Sequence, residues 1–172
     1  LFRNTPLMLW MFVCFVMCPA PAVSKSFAEM LGMSSTVAVK TLFKAIVALT
    51  LFTSAIMAEI IRGGLNSVAK GQFEAAYSQG FGMMQTMTLI VLPQALRTAF
   101  PPLSNSLIAM VKDTSLASNI TVMEMFMATQ RIAARTYEML PLYCEVAVIY
   151  LMFSTVMTFV QRWGEKKLAV YG

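Results

Sequence analysis

The sequence contains no histidine in its 172 residues, and it is poor in charged residues. Without an imidazole, histidine metal sites, histidine-based catalytic triads and histidine proton relays are excluded. Charged residues make up 12% of the chain and hydrophobic residues 58%. A soluble domain carries roughly 25% charged residues. The composition is therefore typical of a membrane protein and argues against a soluble enzyme.

Cysteine is also scarce, with three residues in the chain. Cys14 and Cys18 lie one helical turn apart in an apolar run, where thiols act as small hydrophobic side chains. The sixteen methionines are scattered without a fixed spacing, so we interpret them as packing residues and predict no metal site. The phosphate-loop pattern G-x-x-x-x-G-K-[ST] does not occur in the sequence. We predict no catalytic residues and no cofactor in the chain, and we expect it not to be an enzyme.

The basic residues exceed the acidic ones by five and are spread along the chain without a dense cluster. This distribution suits a protein beside anionic lipid head groups and does not indicate nucleic-acid binding. A lipid bilayer is thus the first partner that the sequence predicts.

Four stretches are long and apolar enough for membrane spans, some only with their flanks, since a span needs about twenty mainly apolar residues. They are approximately residues 6–23, 37–61, 86–111 and 142–161. Trp163 and Lys166–Lys167 follow the last stretch, as is typical of a membrane boundary. Between the last two stretches we predict a helix partly buried beside the bundle. The sequence predicts an all-α, polytopic transmembrane helical bundle that forms a single domain over residues 1–172.

The polar stretch EAAYSQG, residues 74–80, lies between two of these apolar segments. We predict a two-turn helix over residues 72–79, followed by Gly80 as a left-handed cap. Gly63–Gly64 are predicted to end the preceding helix, and Gly71 is predicted to permit a sharp change of direction. The pattern therefore predicts a short helix inside a loop.

The short helix has features of a docking element. Glu74 is predicted in its first half, where the helix dipole favours a carboxylate. Ala75 and Ala76 leave a slim surface that the groove of another protein can approach closely. We therefore expect this helix to contact a partner protein.

The spacing of residues continues beyond the short helix. Glu74, Ala75, Ala76, Gly80, Ile90, Leu92 and Pro93 reproduce the pattern EAA-x3-G-x9-I-x-L-P. This pattern resembles the EAA loop of permease subunits in ATP-binding cassette importers. The segments LFRNTP, AEIIRGGLNSVAKGQ and PQALRTAFPPLSNSLIAMVKDTSLAS extend the resemblance over nearly the whole chain, to the branch of polar amino acid permeases.

The resemblance implies a role for the short helix. In the family a cytoplasmic coupling helix rests in a groove of the ATPase subunit, which assigns ATPase coupling to Glu74, Ala75, Ala76 and Gly80. The EAA loop is then cytoplasmic, and the segments PAPAVSKSF and KDTSLAS are on the outer side. The basic residues alone fall evenly on both sides and leave the orientation open.

The resemblance also implies partners and a location. The expected partners are a cytoplasmic ATP-binding subunit that binds and hydrolyses ATP, a solute-binding protein, a second permease chain that is identical or homologous, and an amino acid substrate. The expected location is the bacterial plasma (inner) membrane, with several spans. Members usually have five spans, so we expect that a first helix is missing and that this permease domain is incomplete at its N-terminus.

The stretch KDTSL is a candidate for the substrate pathway. An amino acid zwitterion needs an acceptor for its ammonium group, which Asp113 offers, and donors for its carboxylate, which Lys112, Thr114 and Ser115 offer. Pro101–Pro102 are predicted to break the third span, and a broken helix is the usual setting of a transport cavity. An interfacial turn, with Thr114 or Ser115 as a helix cap, explains the same residues equally well.

Three functions remain open from the residues themselves. The first is the membrane subunit of an ATP-driven amino acid importer, which the resemblance favours. The second is an ion-driven secondary transporter or channel subunit, for which only Glu59 and Asp113 lie near the bilayer as carboxylates. The third is a structural membrane protein that assembles other subunits.

Overall fold

The computed structural model describes residues 4–33 and 35–169, and this part of the chain is helical, without a β-strand. The first three residues of the LFRNTP segment lie outside the described residues, as do Ser34 and residues 170–172. The predicted all-α class is confirmed.

Eight α-helices follow one another along the described chain. They are α1 (Leu7–Met17), α2 (Lys25–Met30), α3 (Thr36–Asn66), α4 (Lys70–Ser78), α5 (Met83–Gln85), α6 (Leu92–Asp113), α7 (Met125–Thr136) and α8 (Met139–Ala169). A π-helix, Thr86–Val91, joins α5 to α6, and a 3-10 helix, Thr114–Ile120, follows α6. The 3-10 helix and α7 occupy the segment for which the sequence predicted a partly buried helix.

Two of the four predicted spans meet the length and composition of a membrane helix, namely those in α3 and α8. Only 17% of the most apolar window of α3 and 6% of that of α8 is buried, so both helices expose apolar surface that suits lipid or another chain. The first predicted span contains α1, whose 11 residues extend for about 16 Å, about half of a hydrocarbon core. The third predicted span contains α6, which has 22 residues and is long enough to cross a membrane. Its mean hydropathy is nevertheless too low for a membrane span, because it carries polar side chains such as Arg97 and Asn105.

The described residues form two compact units. Unit 1 contains Leu1–Ser54 and Ala109–Thr155, and unit 2 contains Ala55–Ile108 and Val156–Gly172. The single domain over residues 1–172 stays a prediction.

The core of unit 1 joins α1 to the first half of α3 and to the 3-10 helix. Met11 of α1 is fully buried, and Ile120 of the 3-10 helix is 2% exposed. Cys14 is buried in the same cluster and Cys18 packs against it, which confirms the predicted packing role of both thiols. Lys44 of α3 donates a hydrogen bond of 2.6 Å to the carbonyl of Phe15. Its ammonium group therefore stabilises the C-terminal end of α1.

The core of unit 2 joins the end of α3 to the start of α6. Gly64 is buried there, and a Cβ atom on it would lie 2.7 Å from the Ala95 carbonyl oxygen and 2.9 Å from the Ala99 Cβ. The prediction that Gly63–Gly64 end the helix is wrong, since α3 continues to Asn66. Gly64 instead allows two helices to approach closely.

The predicted break at Pro101–Pro102 is also wrong, because both prolines lie inside the continuous helix α6. Each proline lacks an N–H, so the carbonyls of Arg97 and Thr98 lose their helical donors, while the fixed φ of proline remains helical. The local irregularity lies earlier, in the π-helix Thr86–Val91.

Candidate functional site

Helix α4 begins at Lys70, two residues before the predicted start of the short helix. Its N-cap residue, Ala69, has an extended backbone with φ −61° and ψ 138°. The chain therefore changes direction before α4, and the prediction that Gly71 makes this turn is wrong, since Gly71 is the second residue of the helix.

The two alanines of the EAA motif differ in exposure. Ala75 is exposed, whereas Ala76 is 2% exposed. Phe73 is half-buried and packs against the cluster that contains Val68 and Val91. The prediction that both alanines face a partner is thus wrong for Ala76, whose small side chain lets α4 lie close to the rest of unit 2.

Glu74 is the fifth of the nine residues of α4, and the first turn of the helix contains no acidic residue. The effect of the helix dipole falls off within the first turn, so the predicted stabilisation of Glu74 by the dipole is wrong. The side chain is exposed, on the outer surface with Ala75 and with Tyr77, which is 50% exposed. We call Glu74, Ala75 and Tyr77 the α4 surface.

Gly80 ends the helix in the left-handed conformation, with φ +83°. Its N–H donates to the Tyr77 carbonyl at 3.0 Å, and the N–H of Phe81 donates to the Ala76 carbonyl at 3.1 Å. These two bonds form a Schellman motif, which satisfies carbonyls at the end of the helix. The predicted left-handed cap is confirmed. No atom lies within 4 Å of a Cβ built on Gly80, so the backbone conformation is what requires glycine.

A π-helix after the cap was not predicted from the sequence. The N–H of Leu92 donates to the carbonyl of Met87, five residues earlier, and Pro93 follows without an N–H of its own. Gln94 then donates a hydrogen bond of 3.0 Å to the Ile90 carbonyl and one of 3.3 Å to the Gln72 side chain. This amide connects α4 to α6, so the residue that directly follows the motif holds the short helix against the next one.

The KDTSL stretch spans the junction between α6 and the 3-10 helix, in unit 1. The Thr114 hydroxyl donates to the Val111 carbonyl at 2.6 Å, and the Ser115 hydroxyl donates to the Lys112 carbonyl at 2.8 Å. Both hydroxyl protons are therefore used to satisfy backbone carbonyls of the turn, which leaves only acceptor positions on the two oxygens.

The two charged residues of this stretch differ in exposure. Lys112 is exposed, and Asp113 is half-buried at the C-terminal end of α6. Asp113 makes no side-chain hydrogen bond as the N-cap of the 3-10 helix. The structure thus brings Lys112, Asp113, Thr114 and Ser115 together on one turn. Asp113 is at the N-cap position of the 3-10 helix, and the hydroxyls of Thr114 and Ser115 donate to carbonyls three residues earlier, so neither residue is the predicted helix cap.

Sequence reasoning did not find a second polar cluster in unit 1, around Glu124. This carboxylate accepts hydrogen bonds from the N–H groups of Phe126 at 2.8 Å and Met127 at 2.6 Å, and from the Tyr150 hydroxyl at 3.3 Å. Glu124 is the N-cap of α7 and connects α7 to α8. The signal in the sequence is weak, because glutamate is not among the preferred N-cap residues.

Comparison with known proteins identifies the family of this chain. The family model of the binding-protein-dependent transport system inner membrane component matches residues 1–170. The chain is 38% identical over 170 residues to the L-cystine transport system permease protein TcyB of Bacillus subtilis (strain 168), a match that covers 98% of this chain and 67% of the relative. It is 35% identical over 167 residues to the probable amino-acid ABC transporter permease protein PatM of Vibrio harveyi, a match that covers 97% of this chain and 70% of the relative.

A third relative and a solved structure agree with these matches. The probable glutamine ABC transporter permease protein GlnM of Bacillus subtilis (strain 168) is 38% identical over 122 residues, which cover 71% of this chain and 56% of the relative. A solved structure described as "Crystal structure of an amino acid ABC transporter with histidines" superposes with a TM-score of 0.78 and 26% identity, covering 96% of this chain and 71% of that chain. The chain therefore belongs to the family of inner membrane components of binding-protein-dependent transport systems, as a transmembrane permease subunit.

Proposed function

We propose that this chain is the permease subunit of an ATP-binding cassette importer for polar amino acids. The observation that carries the proposal is the α4 surface, which is exposed at the end of a capped helix inside a chain that matches the permease family along residues 1–170. The names of the relatives, which refer to cystine, glutamine and amino acids, support the class of substrate.

In this proposal the energy of transport enters through α4. An ATP-binding subunit on the cytoplasmic side holds α4 in a groove, with Glu74 and Ala75 against its wall. Ala76 acts from within the chain, since it packs the helix against unit 2, and Gly80 fixes the direction in which the chain leaves the groove. ATP binding and hydrolysis move the groove, and the movement reaches α6 through the hydrogen bond between Gln72 and Gln94.

The remaining partners follow from the class of transporter. A solute-binding protein delivers the amino acid to the outer side of the membrane, and a second permease chain, identical or homologous, completes the pathway. The exposed apolar faces of α3 and α8 are available for lipid or for this second chain. The chain itself binds no ATP.

The substrate pathway includes Asp113 in this proposal. Its half-buried carboxylate accepts the ammonium group of the amino acid, and no described residue donates a hydrogen bond to it. Lys112 supplies positive charge near the substrate carboxylate. Thr114 and Ser115 order the turn that presents Asp113, because their hydroxyl protons are engaged by the backbone.

Reconstitution into proteoliposomes tests the proposal. The permease is combined with its solute-binding protein, with and without the ATP-binding subunit, and accumulation of labelled L-glutamine and L-cystine is measured. We expect accumulation that requires both ATP and the ATP-binding subunit. Accumulation driven by an ion gradient without that subunit would instead favour a secondary transporter, and the comparisons do not favour this alternative.

A further inference from the structure

The C-terminal part of α8 carries basic and aromatic side chains that the proposed function does not use. Arg162, Trp163, Lys166 and Lys167 lie within two turns of this helix, and all four are exposed. They are at the end of Met139–Lys167, the part of α8 that meets the length and composition of a membrane span. Basic and aromatic side chains at such an end lie at the level of the lipid head groups. We call these four residues the α8 patch.

The α8 patch continues an exposed apolar face of the same helix. Residues three or four apart share one face of an α-helix. The exposed residues that follow this spacing are Met152, Val156, Phe159 and Trp163. Lys166 and Lys167 extend this line, three and four residues after Trp163. Arg162 lies three residues after Phe159 and therefore on the same side. The face that is apolar along the span thus becomes basic where the span ends.

Glu165 is the one acidic residue in the segment 161–167, and it lies on the other side of α8. Gln161 donates a hydrogen bond of 2.8 Å to the Glu165 carboxylate and one of 3.1 Å to the side chain of Asn105 in α6. Gly164 also faces α6, since a Cβ atom on it would lie 3.0 Å from the ring of Phe100. The negative charge of the segment is therefore held on the side toward α6, and the α8 patch carries positive charge only.

A cation–π contact orders one side of the patch. The Lys167 Nζ lies 4.0 Å from the centroid of the Trp163 ring. The ammonium group has three N–H donors, so donors remain for a ligand beyond the ring. A phosphate group offers negative charge and several acceptor oxygens to such cationic side chains. The ligand that fits both parts of this face has a phosphate group joined to apolar chains.

We propose that the α8 patch binds the head group of an anionic phospholipid, whose acyl chains lie along the apolar face formed by Met152, Val156 and Phe159. This inference goes beyond the proposed function and does not depend on the transported substrate. An anionic phospholipid matches the order of the two surfaces, since its charged group lies at the membrane boundary and its chains lie within the membrane.

Quenching of Trp163 fluorescence by brominated lipids tests this contact locally. The complex of the permease and its ATP-binding subunit is reconstituted into vesicles of phosphatidylglycerol and phosphatidylcholine, in which one lipid or the other carries bromine in its acyl chains. The signal of Trp163 is the difference between the wild type and Trp163→Phe. The increase of quenching with the brominated fraction gives the lipid preference, which is the ratio of the association constants of the two lipids at Trp163.

The variants Lys166→Gln and Arg162→Gln each remove one charge from the patch without changing the contact between Lys167 and Trp163. A basic side chain near an anionic surface contributes about fivefold to binding, so we expect each variant to lower the preference for phosphatidylglycerol about fivefold. Lys25→Gln is the matched control, because it removes the same charge from an exposed position in α2. We expect it to change the preference less than about twofold, since charges beyond a Debye length are screened.

Three results would overturn the inference. The first is equal quenching by the two lipids in the wild type, which would mean that Trp163 contacts lipid without a head-group site. The second is a preference that Lys166→Gln and Arg162→Gln leave unchanged. The third is a Trp163 signal that neither brominated lipid quenches, which would show that a protein, such as the second permease chain or the ATP-binding subunit, covers the patch.

Discussion

Gly64→Ala tests whether the end of α3 packs against α6 as closely as the structure indicates. The added Cβ would lie 2.7 Å from the carbonyl oxygen of Ala95 and 2.9 Å from the Cβ of Ala99, and neither atom belongs to a flexible side chain. The helices must therefore separate. Such overpacking costs about 1–3 kcal/mol. Gly63→Ala is the matched control, because it lies in the same turn and its Cβ would meet no atom within 4 Å.

The comparison of the two variants removes the effect of helix propensity. Alanine is favoured over glycine in a helix by about 1 kcal/mol, and this gain applies to both positions. The difference between the variants is thus about 1–3 kcal/mol and reports the packing alone. For a chain of this size the difference corresponds to an apparent Tm lower by about 2–12 °C in Gly64→Ala than in Gly63→Ala.

The assay is thermal unfolding of the purified permease in complex with its ATP-binding subunit, in one detergent and at one protein concentration. We expect Gly63→Ala to match or exceed the wild type, and Gly64→Ala to unfold at a lower temperature with a lower yield of complex. If both variants unfold at the same temperature, the close approach of α3 and α6 is refuted.

Three further variants test the candidate site. Glu74→Lys is expected to abolish most ATP-dependent uptake while membrane insertion stays normal, because it reverses the charge of the α4 surface. Normal uptake, with a normal yield of the complex with the ATP-binding subunit, would contradict the coupling role. Gly80→Val places a β-branched residue at φ +83°, which costs at least about 1–2 kcal/mol, so the yield of complex should fall, whereas Gly71→Ala inside α4 should leave it unchanged. Asp113→Asn is expected to reduce uptake with little loss of folded protein, and uptake equal to that of the wild type would remove Asp113 from the pathway. A double-mutant cycle with Lys112 measures how much of the effect comes from the pairing of the two charges.

The parts of the candidate site that sequence reasoning predicted correctly depend on local chemistry. Gly80 follows a short helical run, and a left-handed glycine at that point is a property of the neighbouring backbone. Glu74 and Ala75 lie in the same run and on its exposed face. Spacing alone therefore predicted the helix, its cap and the part of its surface that is open to a partner.

The incorrect predictions depend on contacts between segments that are distant in the sequence. Gly64 permits a close approach to Ala95 and Ala99, and nothing near Gly64 in the sequence distinguishes it from the exposed Gly63. Ala76 is buried because α4 lies against unit 2, which the spacing of the motif does not show.

The irregularity of the third predicted span was assigned to the wrong place for a different reason. Two consecutive prolines favour a break, but α6 tolerates the loss of two N–H donors and continues to Asp113. The π-helix lies instead at Thr86–Val91, ahead of Pro93, where the sequence is uniformly apolar apart from threonine. Periodicity does not distinguish a π-turn from an α-turn over so few residues.

Cross-linking of single cysteines in α4 tests most directly whether this helix receives energy from the ATP-binding subunit. Ala75→Cys and Ala76→Cys are compared in a chain whose three native cysteines are replaced by alanine, and the assembled complex is treated with a short thiol-to-amine cross-linker. We expect Ala75→Cys, on the exposed face, to form a covalent product with the ATP-binding subunit whose yield changes when ATP is added, and we expect no such product from the buried Ala76→Cys. Equal labelling of both positions, or no product from Ala75→Cys in a complex that transports normally, would contradict it.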